Sequence, residues 1–141
     1  MNEKLQDFNL VEEIPVRWGD MDARGHVNNT VYFRYFESSR IALFHKLKVY
    51  EEIEANIDAP ILVYTHCNFK APITYPDTIY VGVKIKILEE SKVKMTHSIV
   101  SKKLNREVAE GEALVVWYNY REQKKGKISV KLKKRMLEFI V

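Results

Sequence analysis

The sequence predicts an α+β domain in which one antiparallel sheet curls around one long helix. Three observations lead there. A single long stretch beginning near Asn28 carries apolar residues at helical spacing. One segment of period-two alternation precedes it, and four more follow, joined mostly by short turns. Short connections make consecutive strands antiparallel, and a lone apolar helix must be covered by the concave face of the sheet.

Each element has its own signal. Ile14, Val16 and Trp18 alternate with Pro15 and Arg17, a half-buried strand ending at Gly19. Asn28, Asn29 and Thr30 are all suited to capping the helix that follows. Tyr32, Tyr35, Phe36, Ser39, Ala42, Leu43 and Leu47 form one face of it, while Phe33, Ile41 and Phe44 fall elsewhere. Apolar residues around so much of its circumference predict a helix surrounded by protein. A loop is expected over 56–60, then a strand from Ile61 to Phe69, broken by Pro72 and by the Pro76–Asp77 turn. Ile79, Val81, Val83, Ile85 and Ile87 give the cleanest alternation in the chain. A turn over Glu89–Lys92 leads to Val93, Met95, His97 and Ile99, and Leu104–Arg106 turns into Ala109, Gly111, Ala113, Val115 and Trp117. Leu132, Met136, Leu137 and Ile140 predict a short amphipathic helix at the end. There are no repeats, low-complexity stretches or linkers, so residues 1–141 are expected to form one domain of five strands and one central helix.

Composition narrows the function classes. An apolar fraction of 46% with 30% charged residues suits a folded chain and argues against disorder. No apolar run approaches the roughly 20 residues that span a bilayer, and the polar N-terminus lacks a signal-peptide core. The single cysteine, Cys67, excludes an intrachain disulfide and a multi-thiolate metal site. A cytoplasmic location is expected. Lys124, Lys125, Lys127, Lys131, Lys133, Lys134 and Arg135 crowd the C-terminal end of a chain of net charge +4. Such a cluster suits a solvated face, or an anionic partner such as nucleotide phosphates or an acidic carrier protein. Without an aromatic-plus-basic ladder, nucleic acid is not expected as a partner.

The chemistry concentrates in the segment running from Val16 to Asn29, which holds Asp20, Asp22, His26, Asn28 and Asn29 in a bend between strand and helix. A carboxylate beside the exposed N–H groups of a helix start can attack, or activate water against, a carbonyl that those N–H groups polarise. Asp is also a common turn former, and Asp20 reads as structural. The Asp-x-Asp-x-x-Gly opening resembles a calcium loop, but Arg24 and Val31 occupy positions that require oxygen ligands. His26 can orient Asp22, hydrogen-bond the carbonyl or fix the bend. Glu37 and Arg40, three apart on the helix, are expected to form an ion pair. Ser38 and Ser39 lack a nucleophile-elbow pattern. His45, His66 and His97 are scattered, so no metal site is expected. Cys67 reads as a packed small hydrophobe. Tyr64, Asn68 and Tyr75 can line a groove, with core or edge positions the plainer alternative, and Trp117, Tyr118 and Tyr120 are expected to pack in the sheet.

The run Gly19-Asp20-Met21-Asp22-Ala23-Arg24-Gly25-His26-Val27-Asn28-Asn29, followed by Tyr32-Phe33-Arg34-Tyr35-Phe36-Glu37-Ser38-Ser39-Arg40, resembles the hotdog-fold acyl thioesterases, above all the 4-hydroxybenzoyl-CoA thioesterase-like family. The likeness extends over essentially the whole chain. It implies hydrolysis of an acyl thioester of coenzyme A or acyl carrier protein, without metal or redox cofactor. It implies Asp22 as the catalytic carboxylate, with His26 and the backbone N–H of Asn29 beside it, and Asn28 and Tyr32 as substrate-binding residues. It also implies a homodimer whose sheets join edge to edge, or a tetramer of such chains. Acyl-carrier-protein thioesterases are similar through the same bend, but Arg24 stands where their pattern has Asn. The rival readings are a hotdog acyl-thioester dehydratase or hydratase working through His26, and a non-catalytic acyl-thioester-binding module.

Overall fold

The computed structural model describes residues 3–55 and 58–140, the side chains of 54, 55 and 140 excepted. Five long strands dominate: β1 (Leu10–Pro15), β2 (Asp58–Phe69), β3 (Thr78–Glu89), β4 (Lys92–Ser101) and β5 (Arg106–Asn119). They form an antiparallel sheet in the order β1-β3-β4-β5-β2, with the two-residue β6 (Lys124–Lys125) added at the end of β5. The sheet curls around α1 (Asn29–Lys46), which is followed by α2 (Val49–Ala55), and α3 (Val130–Ile140) closes the chain.

The alternation predicts the buried face of the sheet. Ile79, Val81, Val83 and Ile85 of β3, Val93, Met95, His97 and Ile99 of β4, and Ala109, Ala113, Val115 and Trp117 of β5 are all buried. They meet Tyr32, Tyr35, Phe36, Ser39, Leu43 and Leu47 of α1, the face that the three- and four-residue spacing selects. The core falls into two apolar clusters, one around each half of α1. A polar layer lies at mid-helix. The His97 ring stacks on Phe36 at 4.7 Å, and its Nδ1 meets Ser39 Oγ at 3.0 Å. Burial, and secondarily the Arg40 charge, pushes the His97 imidazole down to about 3, so it is neutral.

Four expectations are corrected. β1 ends at Pro15, three residues before Trp18, because the Asp20 carboxylate accepts the Arg17 N–H and winds Trp18–Asp20 into a 3-10 turn; Trp18 is 73% exposed. β2 starts at Asp58, so Asp58, Ala59 and Pro60 belong to a strand, and residues 56 and 57 of the expected loop lie outside the described residues. Pro60 is tolerated because β2 is an edge strand. The helix is not enclosed on every side, since Arg34 and Ile41 are exposed. Glu37 pairs with Arg34 at 3.0 Å rather than with Arg40.

α3 buries Leu132 and Met136 as expected, while Leu137 is exposed and the Ile140 side chain lies outside the described residues. Arg135 Nε donates to the carbonyl of Leu47 at 2.7 Å, which docks α3 at the C-terminal end of α1. The 18 residues of α1 span about 27 Å. In one chain the lysines of α3 therefore sit a helix length away from the Asp22 bend.

Candidate active site

The bend between β1 and α1 is held by its own backbone and by one buried phenol. Val16 N–H donates to Asp77 O at 2.9 Å, which ends β1 against the loop before β3. Asp20 fixes the turn through its Oδ2, which accepts from Arg17 N–H at 2.9 Å and from Tyr35 Oη–H at 2.8 Å. Burial first, then that bond to Asp20, holds the Tyr35 phenol far above its ordinary range. The Asp20 carbonyl accepts from Asn28 N–H at 3.0 Å. Asp20 is thus the structural member of the pair, as its turn chemistry suggested.

Asp22 opens a tight turn. Its N–H donates to His26 O at 2.9 Å, and Gly25 N–H donates back to Asp22 O at 3.0 Å. Gly25 sits at φ +79°, which a side-chain-bearing residue adopts only with strain. Oδ1 of Asp22 accepts from Arg24 N–H at 2.9 Å. Oδ2 has no hydrogen-bond partner among the described residues. One oxygen shapes the turn and the other is unengaged among the described residues.

The helix start is built by Asn28. Its Oδ1 accepts from Thr30 N–H at 3.0 Å and Thr30 Oγ1–H at 2.7 Å, and its carbonyl accepts from Val31 N–H at 3.0 Å. Val27 N–H is taken by Ile73 O at 2.8 Å. Asn29 N–H, the first of the helix, has no acceptor among the described residues. A free N–H at the positive end of an 18-residue helix is a donor for a developing oxyanion.

Asp22, His26, Asn28, Asn29 and Tyr32 all line one cavity of about 410 Å³. His26 lies exposed at its rim, with no side-chain hydrogen bond among the described residues. Tyr32 forms the floor, its ring edge-on to Phe69 at 4.9 Å and its hydroxyl 3.4 Å from Ala71 O. Burial pushes the Tyr32 phenol up, so it stays protonated. The opposite wall is Phe69, the last residue of β2, with Lys70, Ala71 and Pro72 of the segment after it, and no local sequence pattern marks it. The Lys70 ammonium turns away to Glu107 and Glu110, leaving its alkyl stem at the cavity.

Other candidates lie elsewhere. Tyr64 and Tyr75 are exposed and, like Asn68, do not line this cavity. Trp117 is buried in the core, whereas Tyr120 is exposed beyond the end of β5. Burial pushes the Cys67 thiol up to about 11, so it is a poor nucleophile. Among the described residues no three metal-ligating side chains cluster.

Residues 16–136 match the model of the thioesterase-like superfamily. The chain belongs to this superfamily. Solved structures repeat the hotdog architecture over nearly the full length of this thioesterase-like chain. The PA2801 protein of Pseudomonas aeruginosa is 29% identical with a TM-score of 0.79, over 90% of this chain and 97% of that one. A thioesterase of Thermus thermophilus, solved with coenzyme A and Zn, is 24% identical with a TM-score of 0.83, over 96% of both chains. The 1,4-dihydroxy-2-naphthoyl-CoA thioesterase Slr0204 of Synechocystis is 17% identical with a TM-score of 0.82, over 91% of this chain and 95% of that one. The uncharacterized protein YsmA of Bacillus subtilis is 25% identical over 88 residues, which span 62% of this chain and 58% of YsmA. Membership in the superfamily and the shared fold support a thioester hydrolase. Among the described residues no helix is long and apolar enough to cross a membrane.

Proposed function

We propose that the chain hydrolyses acyl thioesters of coenzyme A or acyl carrier protein, with Asp22 as the catalytic carboxylate and the Asn29 N–H as the oxyanion donor. The single observation behind this is the pairing, in one cavity, of an unengaged carboxylate oxygen with an unengaged helix-start N–H. The coenzyme A held by the Thermus thermophilus thioesterase supports that carrier.

Thioester carbonyls have weak resonance, so a modest catalyst suffices. One such N–H donor contributes about 3–4 kcal/mol to the transition state. Asp22 acts by one of two routes. In the first, Oδ2 attacks the carbonyl carbon, the C–S bond breaks, thiolate leaves and water hydrolyses the resulting anhydride. In the second, Asp22 takes a proton from water, hydroxide adds to the carbon, and the thiolate departs with that proton. Label from ¹⁸O water found in Asp22 after a single turnover assigns the first route, and hydroxylamine trapping of the anhydride detects it where water attacks the acyl carbon and leaves Asp22 unlabelled. His26 at the rim positions the carbonyl or the attacking water.

A second copy of the chain completes the assembly in this reading. β2 is a 12-residue edge strand with Ile61, Leu62, Val63 and Tyr64 exposed, the kind of edge that pairs. Pairing there places two cavities along one continuous sheet.

The test is release of free thiol from a panel of acyl-CoA and acyl-carrier-protein esters. Stoichiometric thiol and carboxylic acid support the proposal. Conversion of a 3-hydroxyacyl or enoyl ester without thiol release assigns the dehydratase or hydratase chemistry instead. Tight binding with no turnover of any ester assigns a binding module.

A further inference from the structure

Asn28 uses its oxygens on the helix it starts. Oδ1 accepts twice from Thr30, from N–H at 3.0 Å and from Oγ1–H at 2.7 Å, and the carbonyl accepts Val31 N–H at 3.0 Å. Its nitrogens are used differently. The backbone N–H goes to Asp20 O at 3.0 Å, whereas the carboxamide Nδ2 has no acceptor among the described residues.

Thr30 decides which way that carboxamide points. A backbone N–H only donates, as an amide NH2 does, so a rotated Asn28 side chain would set donor against donor. The oxygen therefore stays at Thr30 and the NH2 end is turned from it. Asn28 lines the Asp22 cavity and Thr30 does not. The end turned from Thr30 is thus the end left to that cavity. Two bonds accepted at Oδ1 also draw electron density from the nitrogen, which makes Nδ2–H a stronger donor.

The helix start sorts its N–H groups in the same way. Those of Thr30 and Val31 are taken by Asn28, and Asn29 N–H is left beside Nδ2 on the next residue. A cap alone does not need the nitrogen, since Asn, Asp and Ser cap about equally well through their oxygens.

We propose that Asn28 Nδ2 is a second donor to the thioester oxygen, beside Asn29 N–H, and that Thr30 is the positioning residue that aims it. The inference rests on the thioesterase reading of the Asp22 cavity. As the carbonyl carbon becomes tetrahedral its oxygen gains negative charge, and neither donor has to leave another acceptor to meet it.

The experiment separates donor from cap. Asn28→Ser and Asn28→Asp keep a capping oxygen and lose the NH2, so their unfolding temperatures should match the wild type. For thiol release from benzoyl-CoA and hexanoyl-CoA, kcat in Asn28→Ser should fall about a hundredfold with KM little changed, as on losing one oxyanion donor. Thr30→Val should lower kcat several-fold, and Thr30→Ser, which restores the hydroxyl, should recover it. Raman difference spectra give a readout without turnover. The carbonyl stretch of benzoyl-CoA bound to Asp22→Asn should lie below that of the free ester, and should move back toward it when Asn28→Ser is added.

Wild-type kcat in folded Asn28→Ser, with the stretch unmoved, makes Asn28 a cap only and overturns the proposal while hydrolysis stands. A fall in kcat that tracks a lower unfolding temperature, with the stretch unmoved, assigns the loss to the cap and overturns it too. A stretch that needs Asn28 in a protein that releases no thiol removes the hydrolase reading and keeps the donor. Should the Asn28 variants not fold, Thr30→Val carries the test, and wild-type kcat in it overturns the assignment.

Discussion

Replacing Tyr35 by Phe removes one oxygen and tests how the bend is held. The lost bond is a 2.8 Å contact from a buried phenol to the Asp20 carboxylate, and hydrogen bonds to charged groups contribute about 1.5–3 kcal/mol. Asp20 keeps its bond from Arg17 N–H, so its carboxylate is weakened in its grip rather than orphaned. A loss of about 2 kcal/mol is expected, which lowers the unfolding temperature of a chain this size by on the order of 6 °C. The pH dependence is more diagnostic. The folded-state pKa of Tyr35 is raised above the unfolded value of 10.0 by burial and by Asp20. Its contribution is therefore complete below pH 10 and is lost as pH rises above it, because the unfolded chain ionises first. The slope is about 1.4 kcal/mol per pH unit. Urea midpoints between pH 8 and 11 should show the wild type losing its advantage over Tyr35→Phe on the alkaline side. A constant difference across that range refutes the placement of this phenol.

Three further outcomes are expected. His97, neutral and pushed down to about 3 by burial, contributes stability that is present above the unfolded value of 6.5 and lost as pH falls toward 3. The acid limb of wild-type urea midpoints between pH 6.5 and 4 should be steeper than that of His97→Gln, and identical limbs would place a protonated imidazole in the core. Gly111→Ala should cost about 1–3 kcal/mol or more, since the added methyl meets the His66 carbonyl and stands 2.6 Å from the Phe36 ring; a denaturation midpoint equal to wild type contradicts that packing. Alkylation with iodoacetamide at neutral pH should leave thioesterase activity intact and Cys67→Ser active, because burial keeps this thiol protonated; rapid inactivation tied to Cys67 argues for a thiol nucleophile.

Much of this fold is legible because alternation and helical spacing report burial directly. The strands β3, β4 and β5 show it, and Asn28 marks the helix start as a cap should. Where the reading departs, a local competitor decides. Trp18 continues an apolar alternation, but the Asp20 carboxylate three residues past Arg17 rewinds the chain before Trp18 can pair. Glu37 has an arginine three residues away on either side, and spacing alone does not choose between them. Burial of Arg40 does, leaving exposed Arg34 as the partner. α2 is invisible to periodicity because seven residues make only two turns; Lys48 at φ 61° is what separates it from α1. The Phe69–Pro72 wall depends on β2 running alongside β5 until Lys70 and Ala71 N–H reach Val108 O. That is a register fact no local pattern contains.

The most direct measurement is the rate of thiol release by Asp22→Asn, alongside its circular dichroism and unfolding temperature. The side chain stays the same size and can still accept from Arg24 N–H, so the turn should persist and the variant should fold like wild type. The account predicts a fall in kcat of at least a hundredfold, with binding of a non-hydrolysable acyl-CoA analogue retained. Turnover at the wild-type rate by that folded variant would contradict it.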